Sequence, residues 1–162
     1  MKIYHGSTVA VRRPSLRYGR YSTDFGKGFY TTTEFEQAAR WAHIKKEREN
    51  SIHAVVSIYE IPDNLLENSN IKIMQYNGAT ESWLNFVVEN RKSKSLIHDN
   101  DIVLGPVAND KLYATISMYE NGDLDVEAAI VQLKTHVLFN QVSFHSKRSI
   151  EEIRFLESKI VE

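Results

Sequence analysis

The sequence contains no cysteine. That absence excludes a disulfide framework, thiolate metal sites and catalysis by a cysteine nucleophile, and it fits a reducing compartment. Glycine and proline are scarce, seven and three in 162 residues. With no Ser/Gly linker, repeat or low-complexity tract, nothing marks an internal boundary, and residues 1–162 read as one domain. Charge of one sign is missing too: 20 Lys and Arg face 21 Asp and Glu, a net charge of −1. No global positive field therefore draws the chain to nucleic acid or to an anionic membrane, and any such contact has to be local. The longest apolar stretch, residues 54–61, is broken by Ser57 and Glu60, and the first residues carry no apolar signal core. A soluble, cytoplasmic protein with no membrane partner is expected.

Hydrophobic periodicity predicts four helices. The first runs from Glu34 to about Glu49, opened by a Thr33/Glu36 capping box, with Phe35, Ala38, Ala39 and Ala42 on one face and residues 45–49 as a solvated end. The second spans about Glu81 to Asn90 with Trp83, Phe86 and Val87 as its stripe, and the third Val126 to about Val137 behind Asp125. Ser149 and Glu152 box the start of the fourth. Branched and aromatic runs predict strands at Lys2–His5, Phe29–Thr31, Ile52–Ile61, Ile71–Tyr76, Asp101–Leu104, Leu112–Met118 and Val142–His145. Helices and strands do not alternate strictly, so the class is α+β with mostly antiparallel pairing, and a dinucleotide-binding βαβ fold is disfavoured.

Three N-terminal pieces carry candidate chemistry. His5-Gly6-Ser7 ends a short strand, where a glycine without Cβ admits a flat ligand and the imidazole can bond a hydroxyl. A turn with a solvated imidazole accounts for the same residues. Asp24-Phe25-Gly26-Lys27-Gly28-Phe29-Tyr30-Thr31-Thr32 places glycines around a lysine ahead of an aromatic strand. It matches neither a P-loop nor Gly-x-Gly-x-x-Gly, and a glycine-rich hairpin with Tyr30 in the core is the structural alternative. Trp41 follows Tyr30 by eleven residues. At about 100° per residue it lies roughly 60° from Ala38, on the flank of the helix stripe, so it either lines a cleft beside Tyr30 or packs in the core. The six histidines (His5, His43, His53, His98, His136 and His145) show no metal-ligand spacing, so no metal is expected. There is no Gly-x-Ser-x-Gly elbow either.

Taken together, His5-Gly6-Ser7, Phe25-Gly26-Lys27-Gly28-Phe29-Tyr30 and an aromatic eleven residues on resemble the NAD-binding signature of ADP-ribosyltransferases of the diphtheria-toxin and poly(ADP-ribose) polymerase type. More closely, the chain resembles a family of small bacterial proteins of about this length. They share Asp-Phe-Gly-Lys-Gly-Phe-Tyr, the Trp83-Leu84-Asn85-Phe86-Val87 to Asn90-Arg91 helix, the Gly105-Pro106-Val107-Ala108-Asn109-Asp110 turn and the Asn140-Gln141-Val142-Ser143-Phe144-His145 strand. The resemblance runs from about Ile3 to Leu156. It implies split antiparallel sheets with flanking helices and NAD as co-substrate. His5 would bond the adenosine ribose, the Gly6 backbone the nicotinamide carboxamide, and Tyr30 and Trp41 would stack on the nicotinamide. Ser7, Gly28 and Thr31 fall in the same binding elements, and Arg20 is a candidate for the pyrophosphate beside Arg12, Arg13 and Arg17.

In the His-Tyr-Glu triad of that type, the third place falls here on Gln141. A glutamine keeps an acceptor for the ribose hydroxyl but brings no charge to a positively charged transition state, and it is a poor general base. Ala38, eight residues beyond Tyr30, stands where the polymerases place a carboxamide-bonding serine; Thr31 or Thr32 is the candidate substitute. The resemblance implies a bacterial mono-ADP-ribosyltransferase, a glycosyl transfer enzyme acting on a protein or nucleic-acid acceptor as a toxin restrained by an antitoxin. A non-catalytic NAD or ADP-ribose binding module, and a protein- or RNA-interaction domain on a reused transferase fold, are the alternatives.

Overall fold

The computed structural model describes residues 1–107, 110–133 and 140–162. Ala54-Val-Val-Ser-Ile-Tyr is buried almost throughout, as a strand covered on both faces must be. This strand, β3 (Ala54–Glu60), pairs antiparallel with β1 (Lys2–Ser7) on one side and β7 (Arg154–Val161) on the other. On the far side of β1 lie β2 (Phe29–Thr32), β6 (Asn140–Phe144), β5 (Ile102–Pro106) and β4 (Ile73–Gln75), giving the order β4-β5-β6-β2-β1-β3-β7. Among the described residues only β4 and β5 run parallel, so the mixed α+β class with mostly antiparallel pairing holds. The two halves of the sheet meet through a single register pair, Tyr4 opposite Thr32.

Side chains alternate across the strands, and the register sorts them onto two faces. Ile3, Phe29, Tyr59, Ile102, Val142 and Phe144 share one face in a single buried cluster. The opposite face is covered in two parts. Helix α1 (Phe35–Arg48) packs Ala38 and Ala39 on Val56 and Ile58. Helices α2 (Glu81–Lys92), α3 (Asp110–Glu120) and α4 (Val126–Leu133) gather Trp83, Leu84, Val87, Ile116 and Leu133 around Phe25 and Val103. Among the described residues no helix is long and apolar enough to cross a membrane.

Two expected elements take a different form. Leu112–Met118 lies inside α3 rather than in a strand. Ile116 and Tyr119, three residues apart, both reach the cluster under α2, and this burial overrides the strand preference of branched residues. The fourth helix is a single turn, α5 (Lys147–Ile150), boxed by Ser146 and Ser149 rather than by Ser149 and Glu152. The chain then extends as β7, because β3 offers it a full ladder. The expected Thr33/Glu36 box does not form either: Glu34 occupies the N-cap, and its N–H donates to Thr32 Oγ1 at 3.1 Å. Residues 134–137 of the expected third helix, with His136, and Ala108-Asn109 of the expected turn lie outside the described residues.

The close approach of α1 to β1 fixes one residue. A Cβ on Gly6 would stand 2.1 Å from the Ala38 carbonyl oxygen and 2.8 Å from the Ala42 nitrogen, both rigid helix backbone. Gly6→Ala is therefore expected to lower stability in urea unfolding by about 2 kcal/mol or more. Gly78→Ala, where an added Cβ meets nothing within 4 Å, should stay within about 0.5 kcal/mol. Equal costs for the two variants would contradict this packing.

Candidate functional site

The glycine element folds back on itself before it enters β2. Gly26 sits at φ +86°, which glycine alone adopts without strain. The Tyr30 hydroxyl donates to the Gly26 carbonyl at 2.5 Å and accepts the Phe25 N–H at 2.9 Å, while Thr23 Oγ1 donates to the same carbonyl at 2.8 Å. The phenol is thus a strut for the loop, and its ring lies against Phe25 and edge-on to His145.

Imidazoles from β1, from the segment before β5 and from the end of β6 hold this element from outside. His5 Nδ1 lies 2.7 Å from the Tyr30 carbonyl, His98 Nε2 2.7 Å from the Phe25 carbonyl, and His145 Nδ1 2.7 Å from the Lys27 carbonyl. A carbonyl only accepts, so each of these ring nitrogens carries the proton and donates. The consequence differs at the opposite nitrogen. His145 Nε2 accepts from Ser143 Oγ at 2.7 Å and His98 Nδ1 from the Asn100 N–H at 3.1 Å, whereas His5 Nε2 has no partner among the described residues. Burial pushes the His5 and His145 pKa values down to about 4; the Tyr30 and Lys27 carbonyls oppose this, and the Lys45 charge adds to it at His5. Both rings are neutral at pH 7, and His5 presents a bare acceptor.

Lys45 was not legible as part of the site when residues 45–49 read as a solvated end. It follows Ala38 and Ala42 at helical spacing on the face α1 turns to the sheet, and that spacing was the available signal. Burial holds its ammonium below the ordinary lysine range, with Glu49 opposing and Arg20 reinforcing the shift. His5, Lys45 and the exposed Arg20 therefore share one electropositive neighbourhood.

Gln141 stands on β6 directly opposite Thr32 of β2 and Gly105 of β5. It is 5% exposed, and its Nε2 is buried with no hydrogen-bond partner among the described residues. An unmet buried donor costs about 1–3 kcal/mol, which singles this position out within the sheet. Tyr4, Thr32 and Gln141 lie in one row across β1, β2 and β6, so His5, Tyr30 and Gln141 fall in a strip about 10 Å wide. The register puts Gly6, Tyr30 and Gln141 on one sheet face and His5, stacked on Phe29 at 4.6 Å, on the other.

The remaining expected residues are placed as follows. Ser7 is buried at the end of β1. Gly28 is a cradle for His145, since a Cβ there would come within 2.6 Å of its Nδ1. Thr31 Oγ1 donates to the Val142 carbonyl and Thr32 Oγ1 to the Asn140 carbonyl, so both hydroxyl protons serve the sheet. The space beside Gly6 that the His-Gly pair seemed to leave for a ligand is taken up by α1. Trp41 is 39% exposed on α1, with the Arg48 guanidinium 5.5 Å from its ring. A hollow of about 320 Å³ opens beside the glycine element between Arg17, Tyr21, Lys27 and His145, and another of about 360 Å³ lies between Phe35, Arg40, His43 and Val161. Among the described residues no three His, Asp or Glu side chains gather as metal ligands.

Residues 1–155 match the family described as Protein of unknown function (DUF3990). The chain belongs to DUF3990. No curated protein matches it. The DUF3990 match spans His5, the glycine element, α1 and Gln141. For this DUF3990 chain the depressed imidazoles set a pH dependence. In the unfolded chain both would protonate near pH 6.5, and in the fold near pH 4, so their contribution is complete above pH 6.5 and is lost as pH falls through that window. The urea midpoint is therefore expected to drop between pH 7 and pH 4.5, and His5→Gln with His145→Gln should flatten that slope. An unchanged slope in a folded double variant would contradict the assignment.

Proposed function

We propose that this DUF3990 protein is an NAD-dependent mono-ADP-ribosyltransferase. The observation that carries the reading is the unpartnered, buried Gln141 amide on the sheet face that also carries Tyr30, in a strip whose opposite face holds the bare His5 acceptor. Those are the strands on which the transferase resemblance puts its triad. The single-pair join between β1 and β2 is the place where a sheet of that type would open, and we read the fold as such a split sheet.

NAD supplies the transferable group: the bond between C1′ and the nicotinamide nitrogen breaks with its electron pair on nicotinamide, and the acceptor nucleophile takes C1′ and loses a proton. The chain's own contribution is positional. His5 Nε2 accepts from a ribose hydroxyl, and because burial keeps the ring neutral this acceptor persists across the physiological range. Lys45 and Arg20 supply positive charge for the pyrophosphate. Tyr30, its hydroxyl committed to Gly26, offers a fixed ring face. Gln141 gives its free N–H to an oxygen of the bound ribose but no negative charge to the carbon that becomes positive. The bond-breaking step is then slower than with a carboxylate, and the acceptor supplies the missing base. The bacterial toxin role, with an antitoxin as partner, belongs to this reading.

Nicotinamide release from NAD in the presence of a cell lysate tests it. His5→Ala and Tyr30→Ala are expected to abolish release, and Gln141→Glu to raise it by about a hundredfold. Calorimetric NAD binding without release in the wild type, with release appearing only in Gln141→Glu, would support the binding-module reading instead. No NAD binding by folded protein would end both.

A further inference from the structure

The strongest unexplained surface is the segment between β1 and β2. It carries Arg12, Arg13, Arg17, Arg20 and Lys27 against one acidic residue, Asp24, in a chain whose overall charge is −1. Asp24 is buried, and none of the five cations lies within ion-pair distance of a carboxylate among the described residues. Arg12 lies over the Phe155 ring of β7 at 6.0 Å. Arg17, Arg20 and Lys27, close in the chain and without counterions, cost folding energy by their mutual repulsion, so they are kept for something outside the chain. Aromatic rings stand among them. Tyr18 is 81% exposed and Tyr21 46%, with the Arg17 guanidinium 5.8 Å from the Tyr18 ring and Lys27 Nζ 4.9 Å from that of Tyr21. Beside them is the hollow of about 320 Å³, lined by Leu16, Arg17, Tyr21, Lys27, Leu96 and His145.

We infer that this loop and its hollow bind a single-stranded nucleic acid, with guanidinium and ammonium groups on its phosphates and the tyrosine rings on its bases. The cations alone would serve any polyanion. Exposed rings interleaved with them, Arg17-Tyr18 and Arg20-Tyr21, add flat faces that an acidic peptide cannot use. Bases inside a duplex are stacked on each other and closed to such rings, so the strand is single. A hollow of this size, lined by leucines, cations and the Tyr21 ring, lies in the range of small-ligand pockets and takes one unstacked base. The inference rests on the loop alone and not on NAD chemistry; where both hold, the strand is the acceptor.

Fluorescence anisotropy of the full chain without NAD tests it, using a labelled 12-nucleotide RNA and DNA of mixed sequence, the corresponding duplex, and polyglutamate. Single strands are expected to bind at 50 mM KCl, with affinity falling about tenfold or more by 200 mM. Tyr18→Ala with Tyr21→Ala, both exposed and so expected to fold, should weaken binding about tenfold or more. Arg17→Glu with Arg20→Glu should weaken it and make the salt dependence shallower. The inference is overturned by absence of binding at 50 mM KCl, by duplex or polyglutamate binding as tightly as the single strands, or by a tyrosine double variant that binds within twofold of wild type. Because nicotinamide release is not measured here, failure of this surface is separate from failure of the transferase reading.

Discussion

Carbonyls that accept from imidazoles hold the centre of this protein. The run from Phe25 to Tyr30 bends through a left-handed glycine and leaves the carbonyls of Phe25, Lys27 and Tyr30 facing outward, and His98, His145 and His5 each donate to one of them. Those histidines come from three different parts of the chain, so one short element ties β1, β6 and the segment before β5 together. Neutrality at His5 and His145 is part of the device, since burial disfavours the charged ring. The rest follows from that clasp: Gly28 is glycine because His145 needs its space, and Tyr30 is oriented by its own loop.

The histidine clasp also decides what is left over. His145 and His98 use both ring nitrogens internally, whereas His5 uses one. Gln141 keeps its amide nitrogen unpaired inside the sheet at a cost of about 1–3 kcal/mol. One unused acceptor and one unused donor stand on strands flanking β2, where a polar ligand would meet them. The cation pair Lys45 and Arg20 lies beside the first of them.

Much of the architecture was legible in the sequence. The strand runs at β1, β2, β3 and β6 alternate or fill as buried strands do, and the α1 and α2 stripes are clear at helical spacing. What failed was decided by tertiary partners: the branched residues of α3 became helical because Ile116 and Tyr119 reach a common cluster, and residues after α5 extended because β3 had an open edge. At the site, the glycine element, His5 and Gln141 stood out by residue type. His98 and His145 did not, because a histidine that clamps a distant carbonyl leaves no local pattern, and Lys45 was hidden by its place in a charged run. The space beside Gly6 was misread for a related reason. A missing Cβ signals close approach, but the sequence does not say whether a ligand or, as here, a helix approaches.

The account turns on His5 being a neutral ring whose Nδ1 is pinned by Tyr30 and whose Nε2 is open to a ligand. Long-range proton–nitrogen NMR on protein labelled at the imidazole nitrogens, at pH 7 and through an NAD titration, reads this directly. The account predicts a protonated Nδ1 and bare Nε2 at His5 before NAD, and an Nε2 resonance that moves on saturation while those of His98 and His145 stay in place. A charged His5 at pH 7, or an Nε2 resonance indifferent to saturating NAD, would contradict it.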